Sequence, residues 1–137
     1  MGQIVVDAST IVKLFIKEEY SEAAYKIRDA YVEGSISIAV PSLIEYEVFN
    51  ALKYSGAFSA EELEATFETL TNYDFTAFKP EKLLANEAIK TSLKYNISVY
   101  DAFYVALAKL NNTILYTSDQ KLIKTVELSF VKHIKEF

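Results

Sequence analysis

The sequence predicts an α/β fold in which one parallel sheet of about five strands is flanked by helices on both faces. Short apolar or alternating segments, typical of strands, occur in turn with longer segments that have helical periodicity. Strands that alternate with helices form parallel sheets, because each helix carries the chain back across the sheet. The 137 residues fit one domain and are enough to bury a core, and we expect that domain to span residues 1–137.

The first third of the chain predicts two strands and two helices. Ile4–Val6 is a β-branched run of the kind that is buried on both faces of a sheet. A short helix is expected after Asp7, and a second helix over Ser21–Glu33 that ends at Gly34. Ser35–Val40 alternates apolar with small or polar residues, which predicts the second strand.

The middle of the chain predicts two helices and a third strand. Pro41 is suited to a first helical turn, and Ser42–Glu45 matches a capping box, so a helix is expected from there to about Tyr54. Ser59–Glu62 is a second capping box that opens the next helix. Tyr73–Phe78 alternates as a third strand.

The last third predicts three helices and two strands, and its second helix is apolar on nearly all sides, which indicates a buried helix. In chain order these elements are helix, helix, strand, helix and strand, over Glu81–Lys94, Ser98–Leu110, Thr113–Tyr116, Gln120–Val126 and Phe130–Ile134.

Composition excludes several classes of function. The absence of cysteine excludes disulfides, thiolate metal sites and cysteine nucleophiles. The sequence contains no signal peptide and no apolar run near the ~18 residues that a membrane span needs, so we expect a cytoplasmic protein with no membrane partner. The net charge of −5 argues against a nucleic-acid partner, unless several acids converge on one metal ion and account for most of it.

Two aspartates follow predicted strands. Asp7 ends the first strand, and Asp119 follows the fourth after Thr117 and Ser118. Ligands of open parallel sheets bind outside the carboxyl ends of the strands, so both acids are placed for chemistry. Both could instead serve only as N-caps of the helices that follow, and this alternative stays open.

Two further acids stand among apolar residues inside predicted helices. Glu47 precedes Val48, and Asn50 shares its helix face three residues on. Asp101 lies in the first turn of the most apolar helix. Acids are almost never fully buried unless they are paired or bind something. The alternatives are that Glu47 extends to water from a helix border and that Asp101 only complements the helix dipole.

Four carboxylates with no histidine or cysteine near them in the sequence form a hard, all-oxygen ligand set. Such a set selects Mg²⁺ or Mn²⁺ over zinc. Without an ion the cluster would repel itself and raise carboxyl pKa values, so a metal should also stabilise the fold. The chemistry typical of such a site is metal-assisted displacement at phosphorus.

Four short motifs in a fixed order resemble the PIN-domain ribonucleases, and most of all the small single-domain VapC-type toxins. The resemblance covers the whole chain. Its motifs are IVVDAS at Ile4–Ser9, PSLIEYEVFNAL at Pro41–Leu52, VYDAFYVALA at Val99–Ala108 and LYTSD at Leu115–Asp119.

This resemblance implies one PIN domain over residues 1–137, with the first strand central in a five-stranded parallel sheet. It implies a Mg²⁺- or Mn²⁺-dependent endoribonuclease that leaves a 5′-phosphate, a frequent homodimer, and inhibition by a cognate VapB-type antitoxin that covers the acidic site. The implied catalytic and metal-binding residues are Asp7, Glu47, Asp101 and Asp119, with Asn50 and Thr117 as supporting polar residues.

Three other functions compete with this interpretation. A non-catalytic PIN-like module would bind RNA or a protein with the same fold. A receiver-type signalling domain would need an adjacent acidic pair near the first strand, where only Asp7 stands. A dehalogenase-type phosphatase would need an aspartate two residues after its nucleophile, where Ser9 stands.

The basic residues carry weaker expectations. Four lysines that follow the acidic strand ends could contact phosphates, although lysines on helix exteriors are usually only solvated. They are Lys13, Lys17, Lys121 and Lys124. His133, the only histidine, is expected on the surface and without a catalytic role.

Overall fold

A computed structural model describes residues 2–137 and confirms the predicted α/β class. Five parallel strands form one sheet in the order β3-β2-β1-β4-β5. The strands are β1 (Gln3–Val6), β2 (Ser37–Pro41), β3 (Thr76–Phe78), β4 (Leu115–Thr117) and β5 (Val131–His133).

Seven α-helices lie within the described residues, and each corresponds to a predicted helix. They are α1 (Ala8–Val12), α2 (Ser21–Val32), α3 (Ile44–Ser55), α4 (Ala60–Tyr73), α5 (Lys82–Tyr95), α6 (Val99–Leu110) and α7 (Gln120–Val126), and a 3₁₀ turn over Ile134–Glu136 follows β5. None of the helices in residues 2–137 is long and apolar enough to cross a membrane.

The first strand is the centre of the sheet. Val5 pairs with Ala39 of β2 on one side and with Leu115 of β4 on the other. Val5 and Val6 are both fully buried. Because successive strand residues point to opposite faces, both faces of the sheet at β1 are covered. Because β1 is parallel to both β2 and β4, the carboxyl ends of these three strands lie at one edge of the sheet.

The apolar helix is buried as its composition predicts. In α6, four consecutive residues, Val105, Ala106, Leu107 and Ala108, are each no more than 1% exposed. The helix packs against α5 and against β1, β2 and β4. Its first turn, which carries Asp101, reaches the carboxyl edge of the sheet.

Of the two predicted capping boxes, one is confirmed and one is wrong. Ser59 and Glu62 cap α4 reciprocally. Ser42 makes no such bond: Pro41 is the last residue of β2, and α3 begins at Ile44 without a side-chain cap. The backbone N–H of Ser42 instead donates to the carbonyl of Phe78 at 2.9 Å, because pairing with β3 extends the strand past the predicted helix start.

The third strand is shorter than its alternating pattern predicts. Helix α4 continues through Tyr73, and Asp74 ends it in a left-handed conformation with φ of 53°. The Tyr31 hydroxyl donates to the carbonyl of Tyr73 at 2.6 Å. This contact between distant segments holds the last helical turn in place, and local alternation gives no sign of it.

Candidate functional site

Asp7 is the most buried acid at the carboxyl edge of the sheet, with 7% of its surface exposed. Its Oδ1 accepts hydrogen bonds from the Ser9 hydroxyl at 2.7 Å and from the Thr10 backbone N–H at 3.2 Å. Its Oδ2 accepts one from the Thr117 hydroxyl of β4. Asp7 therefore does cap α1, as the alternative interpretation of this residue predicts. It is also held by Thr117 at the end of the neighbouring strand.

Within residues 2–137, no basic side chain forms an ion pair with this buried carboxylate. The ion pairs among residues 2–137 are Lys13–Glu18, Arg28–Asp29 and Lys109–Glu87, and none of them contains a predicted site acid. Burial raises the pKa of Asp7, although its four hydrogen bonds oppose the shift. The fold thus holds an acid in a position that favours its neutral form.

Thr117 joins the two strand ends. Its hydroxyl donates to Asp7 and accepts from the Asp119 backbone N–H at 3.0 Å. Asp119 is partly buried, and its Oδ1 accepts from the Leu122 N–H at 3.0 Å, so it caps α7. Asp119 is therefore an N-cap, as Asp7 is, and Thr117 links the two residues through its hydroxyl.

Glu47 is held by a residue that the sequence analysis missed. The Tyr104 hydroxyl of α6 donates to Glu47 Oε1 of α3 at 2.6 Å, and Tyr104 is 1% exposed. Glu47 is therefore a partly buried, hydrogen-bonded residue rather than a border residue extended into water. A tyrosine on an otherwise apolar helix was a usable signal, since a buried tyrosine hydroxyl normally needs a partner.

Several of the four acids lie close enough to influence one another's charge: Asp7 and Asp101 act on Glu47, and Asp7 and Asp119 act on Asp101. Burial raises the pKa of Glu47, and the charges of Asp101 and Asp7 raise it further. Burial also raises the pKa of Asp101, with added repulsion from Asp119 and Asp7. Acids from four separate segments are thus brought to one edge of the sheet, as the sequence predicts.

These acids do not form a finished chelating group. No set of three or more histidine, aspartate or glutamate side chains within residues 2–137 is arranged to hold a metal ion. Glu47, Asp101 and Asp119 are only partly buried, which leaves their side chains room to change rotamer. Asn50, predicted as a supporting residue, is exposed on the same helix as Glu47.

The prediction of a surface position for His133 is wrong. Its side chain is 3% exposed and packs edge-on against the Tyr20 ring at 4.4 Å between centroids. Its Nδ1 accepts from the Lys135 N–H at 3.1 Å, and burial lowers its pKa. The covering residue, Tyr20, is far from His133 in the chain, so position in the sequence gives no sign of this burial.

The four lysines that were predicted to contact phosphates differ in their exposure to solvent. Lys13 is buried, with its Nζ 3.0 Å from Glu18, and so is already paired. The other three, Lys17, Lys121 and Lys124, are exposed.

Comparison with known proteins gives one family and consistent relatives. Residues 4–128 match the family described as PIN domain. The chain is 34% identical to Ribonuclease VapC3 of Pyrobaculum aerophilum over 125 residues, which cover 88% of this chain and 92% of that protein. It is 29% identical to Ribonuclease VapC3 of Mycobacterium tuberculosis, over 89% of this chain and 86% of that protein.

Solved structures show the same fold at low identity. A toxin–antitoxin complex from Klebsiella pneumoniae aligns with a TM-score of 0.71 and 18% identity, over 93% of this chain and 94% of that one.

Proposed function

Because the chain belongs to the PIN-domain family, we propose that it is an endoribonuclease that hydrolyses RNA phosphodiester bonds at the carboxyl edge of its sheet. One observation supports this most strongly: four carboxylates from four segments gather there with no ion-paired cation among residues 2–137. The relatives named as ribonucleases cover nearly the same length of chain.

A divalent metal ion fits the chemistry of these residues. The available donors are carboxylate oxygens, which suit Mg²⁺ or Mn²⁺. Burial raises the pKa values of Asp7, Glu47 and Asp101, and a bound cation would favour their ionised forms. Asp7, Asp101 and Asp119 would hold the principal ion, with Glu47 as a further ligand. Bound there, a divalent ion would activate water and neutralise the leaving oxygen of the phosphodiester.

The chain's own residues would act mainly by position. Asp7, held by hydroxyls from two segments, would give the site its fixed point. Tyr104 would set the direction of the Glu47 carboxylate. Thr117 would support Asp7 directly. Asn50, which is exposed on α3 three residues after Glu47, would be a further supporting polar residue.

The partners follow from the same relationships. We expect the chain to be the toxin of a type II toxin–antitoxin system, inhibited by a VapB-type antitoxin that covers the acidic edge. A homodimer is supported by large apolar side chains exposed on α5, among them Leu83 and Leu93. An enzyme of this kind would meet cellular RNA in the cytoplasm.

The test is cleavage of end-labelled single-stranded RNA with Mg²⁺ or Mn²⁺, compared with EDTA and with Asp101→Asn. We expect cleavage that needs both the ion and Asp101, and products that carry a 5′-phosphate. Asp29→Asn is the matched control, because Asp29 is an exposed aspartate on α2 that faces Arg28.

Two results would contradict the proposal. Cleavage that persists in EDTA or in Asp101→Asn would come from another site or a contaminant. RNA binding without cleavage, in a protein that divalent ions do not stabilise, would favour the non-catalytic module.

A further inference from the structure

The short segment that ends β4 reaches both carboxylate oxygens of Asp7. Thr117 donates directly to Oδ2. On the other side, the Ser9 hydroxyl donates to Oδ1 at 2.7 Å, and the Ser118 hydroxyl donates to Ser9 Oγ at 2.9 Å. Ser118 therefore reaches Asp7 through Ser9. Two adjacent residues of one segment thus act on opposite oxygens of the same carboxylate.

The hydrogen bonds between these hydroxyls run in one direction. A serine hydroxyl has one proton to donate and two lone pairs that accept. An ionised carboxylate can only accept, so the Ser9 proton points to Asp7. The Ser9 oxygen is left to accept, from the Ser118 hydroxyl at 2.9 Å and from the Ser118 backbone N–H at the longer distance of 3.4 Å. Ser118 thus holds the Ser9 proton in the direction of Asp7.

The other donors to Oδ1 make longer bonds than Ser9. The backbone N–H of Thr10 lies at 3.2 Å. The Thr10 hydroxyl has a single proton for two acceptors, Asp7 Oδ1 at 3.2 Å and the Tyr116 carbonyl at 3.4 Å. Bonds from a hydroxyl to an oxygen are most often about 2.7–2.8 Å long, so only the Ser9 bond has this length. If Ser9 turned away, the Oδ1 side of Asp7 would be loosened.

The contact between Ser9 and Ser118 joins elements that meet only in the folded chain. Ser9 is in the first turn of α1, and Ser118 follows β4, 109 residues later. Both residues are only half-buried, so the Ser9 hydroxyl could turn to water if Ser118 no longer held it. The residue after Ser118 is Asp119, so a test must separate an effect through Ser9 from a displacement of Asp119.

We infer that Ser118 is a positioning residue of the acidic site, which acts on Asp7 through Ser9 and, together with Thr117, fixes the plane of the Asp7 carboxylate. This inference rests on the proposed ribonuclease function. A carboxylate that is bonded at one oxygen can still rotate about its last side-chain bond, whereas bonds at both oxygens define its plane. Side chains that orient a metal ligand typically change metal affinity or activity by about 10–100-fold when they are lost.

The test compares Ser118→Ala with Ser118→Thr, which keeps the hydroxyl. Because Ser118 is one step further from the ion than a direct partner of Asp7, Ser118→Ala should lower kcat and Mn²⁺ affinity by about threefold to tenfold. The KM for RNA should stay the same, since Ser118 acts on Asp7 and not on the substrate. Ser118→Thr should recover most of both losses. Calorimetric titration of Mn²⁺ into the protein without RNA measures the affinity independently of cleavage.

A double-mutant cycle with Ser9→Ala tests whether Ser118 acts through Ser9. Ser9→Ala removes the direct donor and should lower kcat and Mn²⁺ affinity more than Ser118→Ala does. If the effect of Ser118 passes through Ser9, the double variant should be no worse than Ser9→Ala alone. A displacement of Asp119 would instead give losses that add.

Ser92→Ala is the matched control for stability. Ser92 is half-buried like Ser118, and its hydroxyl donates to the Ile97 carbonyl at 2.7 Å and not to Asp7 or Ser9. Each of the two variants loses one hydroxyl, so their melting temperatures in EDTA should be similar. Only Ser118→Ala should lower kcat and Mn²⁺ affinity, which a merely structural role would not predict.

Three outcomes would overturn the inference. If Ser118→Ala keeps the native kcat and Mn²⁺ affinity, Ser118 does not position Asp7, although the ribonuclease function stands. If the losses in Ser9→Ala and Ser118→Ala add in full, Ser118 acts by another route. If the native protein neither binds Mn²⁺ nor cleaves any RNA, the ribonuclease function fails and this role of Ser118 fails with it.

Discussion

Asp7 and the three acids around it occupy one site in two different ways. Asp7 is buried and accepts hydrogen bonds from Ser9, Thr10 and Thr117. The other three acids, Glu47, Asp101 and Asp119, are partly exposed. Glu47 accepts one bond from Tyr104, and Asp119 accepts one from the Leu122 N–H.

The difference separates a preformed part of the site from an adjustable part. Asp7 cannot move without breaking contacts to two segments of the chain, so the fold positions it in advance. The other three can reorient at lower cost, which is consistent with the lack of a finished chelating group in residues 2–137. An ion would then complete the site around Asp7, and this division can be tested residue by residue.

The largest effect is expected from Asp7→Asn. Loss of a partner that only orients a metal ligand typically costs 10–100-fold in activity or metal affinity, so loss of the fixed ligand should cost more than about 100-fold. The fold should survive, because asparagine also caps helices well. Cleavage rates and thermal unfolding in EDTA would measure both effects. Near-native cleavage by a folded Asp7→Asn protein would refute the role of Asp7 as the fixed ligand.

Tyr104→Phe should reduce divalent-ion affinity or cleavage about tenfold. The change removes only the hydroxyl that orients Glu47 and keeps the buried ring. Ion titration by calorimetry, alongside kcat and KM, would separate this from a packing defect. Tyr31→Phe is the control, because it removes a hydroxyl that donates to the Tyr73 carbonyl and not to a site acid. Equal effects of the two changes would mean that Tyr104 is purely structural.

Thr117→Val should lower the free energy of unfolding by about 1–3 kcal/mol, because the buried Asp7 carboxylate would lose a hydroxyl donor. Cleavage should fall as well. Thr117→Ser restores the hydroxyl and should recover most of both. Denaturant unfolding measures the stability, and a Thr117→Val protein as stable as the native one would show that Asp7 does not depend on β4.

Two substitutions of Asp119 should separate the effect of its capping side chain from the effect of its charge. Asp119→Asn keeps a capping side chain and should lose activity with little loss of stability. Asp119→Ala also removes the cap, which should cost about 1 kcal/mol more. The two variants should therefore differ in unfolding free energy and agree in activity. Full activity in Asp119→Asn would exclude Asp119 from the ligand set.

The smallest expected effect is a pH dependence of stability in EDTA. The pKa values of Asp7, Glu47 and Asp101 are raised in the folded protein, so the native state binds more protons than the unfolded state. Their contribution to stability is therefore lost as pH rises from the unfolded value near 4 through the raised folded values.

Thermal unfolding between pH 4 and pH 8 would show this loss. Asp101→Asn should flatten the dependence, because it removes one of the raised groups. Added Mn²⁺ should raise the melting temperature more at pH 7 than at pH 5, because protons compete with the ion for the carboxylates. An equal effect of Mn²⁺ at both pH values would argue against binding at these acids.

The sequence alone predicted the α/β class, the order of the elements and the acids that meet at the sheet edge. The class and the element order follow from periodicity, and each acid is marked by its immediate neighbours in the chain. The start of α3 at Ile44 was wrongly predicted, because pairing between β2 and β3 outweighed the local capping signal. His133 was wrongly placed on the surface, because Tyr20, which covers it, is far away in sequence.

Tertiary structure alone decided which acid is fixed and what holds it. The hydroxyl that fixes Asp7 comes from Thr117, 110 residues away, and the hydroxyl that orients Glu47 comes from Tyr104, 57 residues away. Local capping motifs at Asp7 and Asp119 look alike in the sequence, yet only Asp7 directly follows the central strand, which has a neighbouring strand on each side. Burial and hydrogen-bond partners are set by the segments that the fold packs together, and a linear pattern carries no record of that packing.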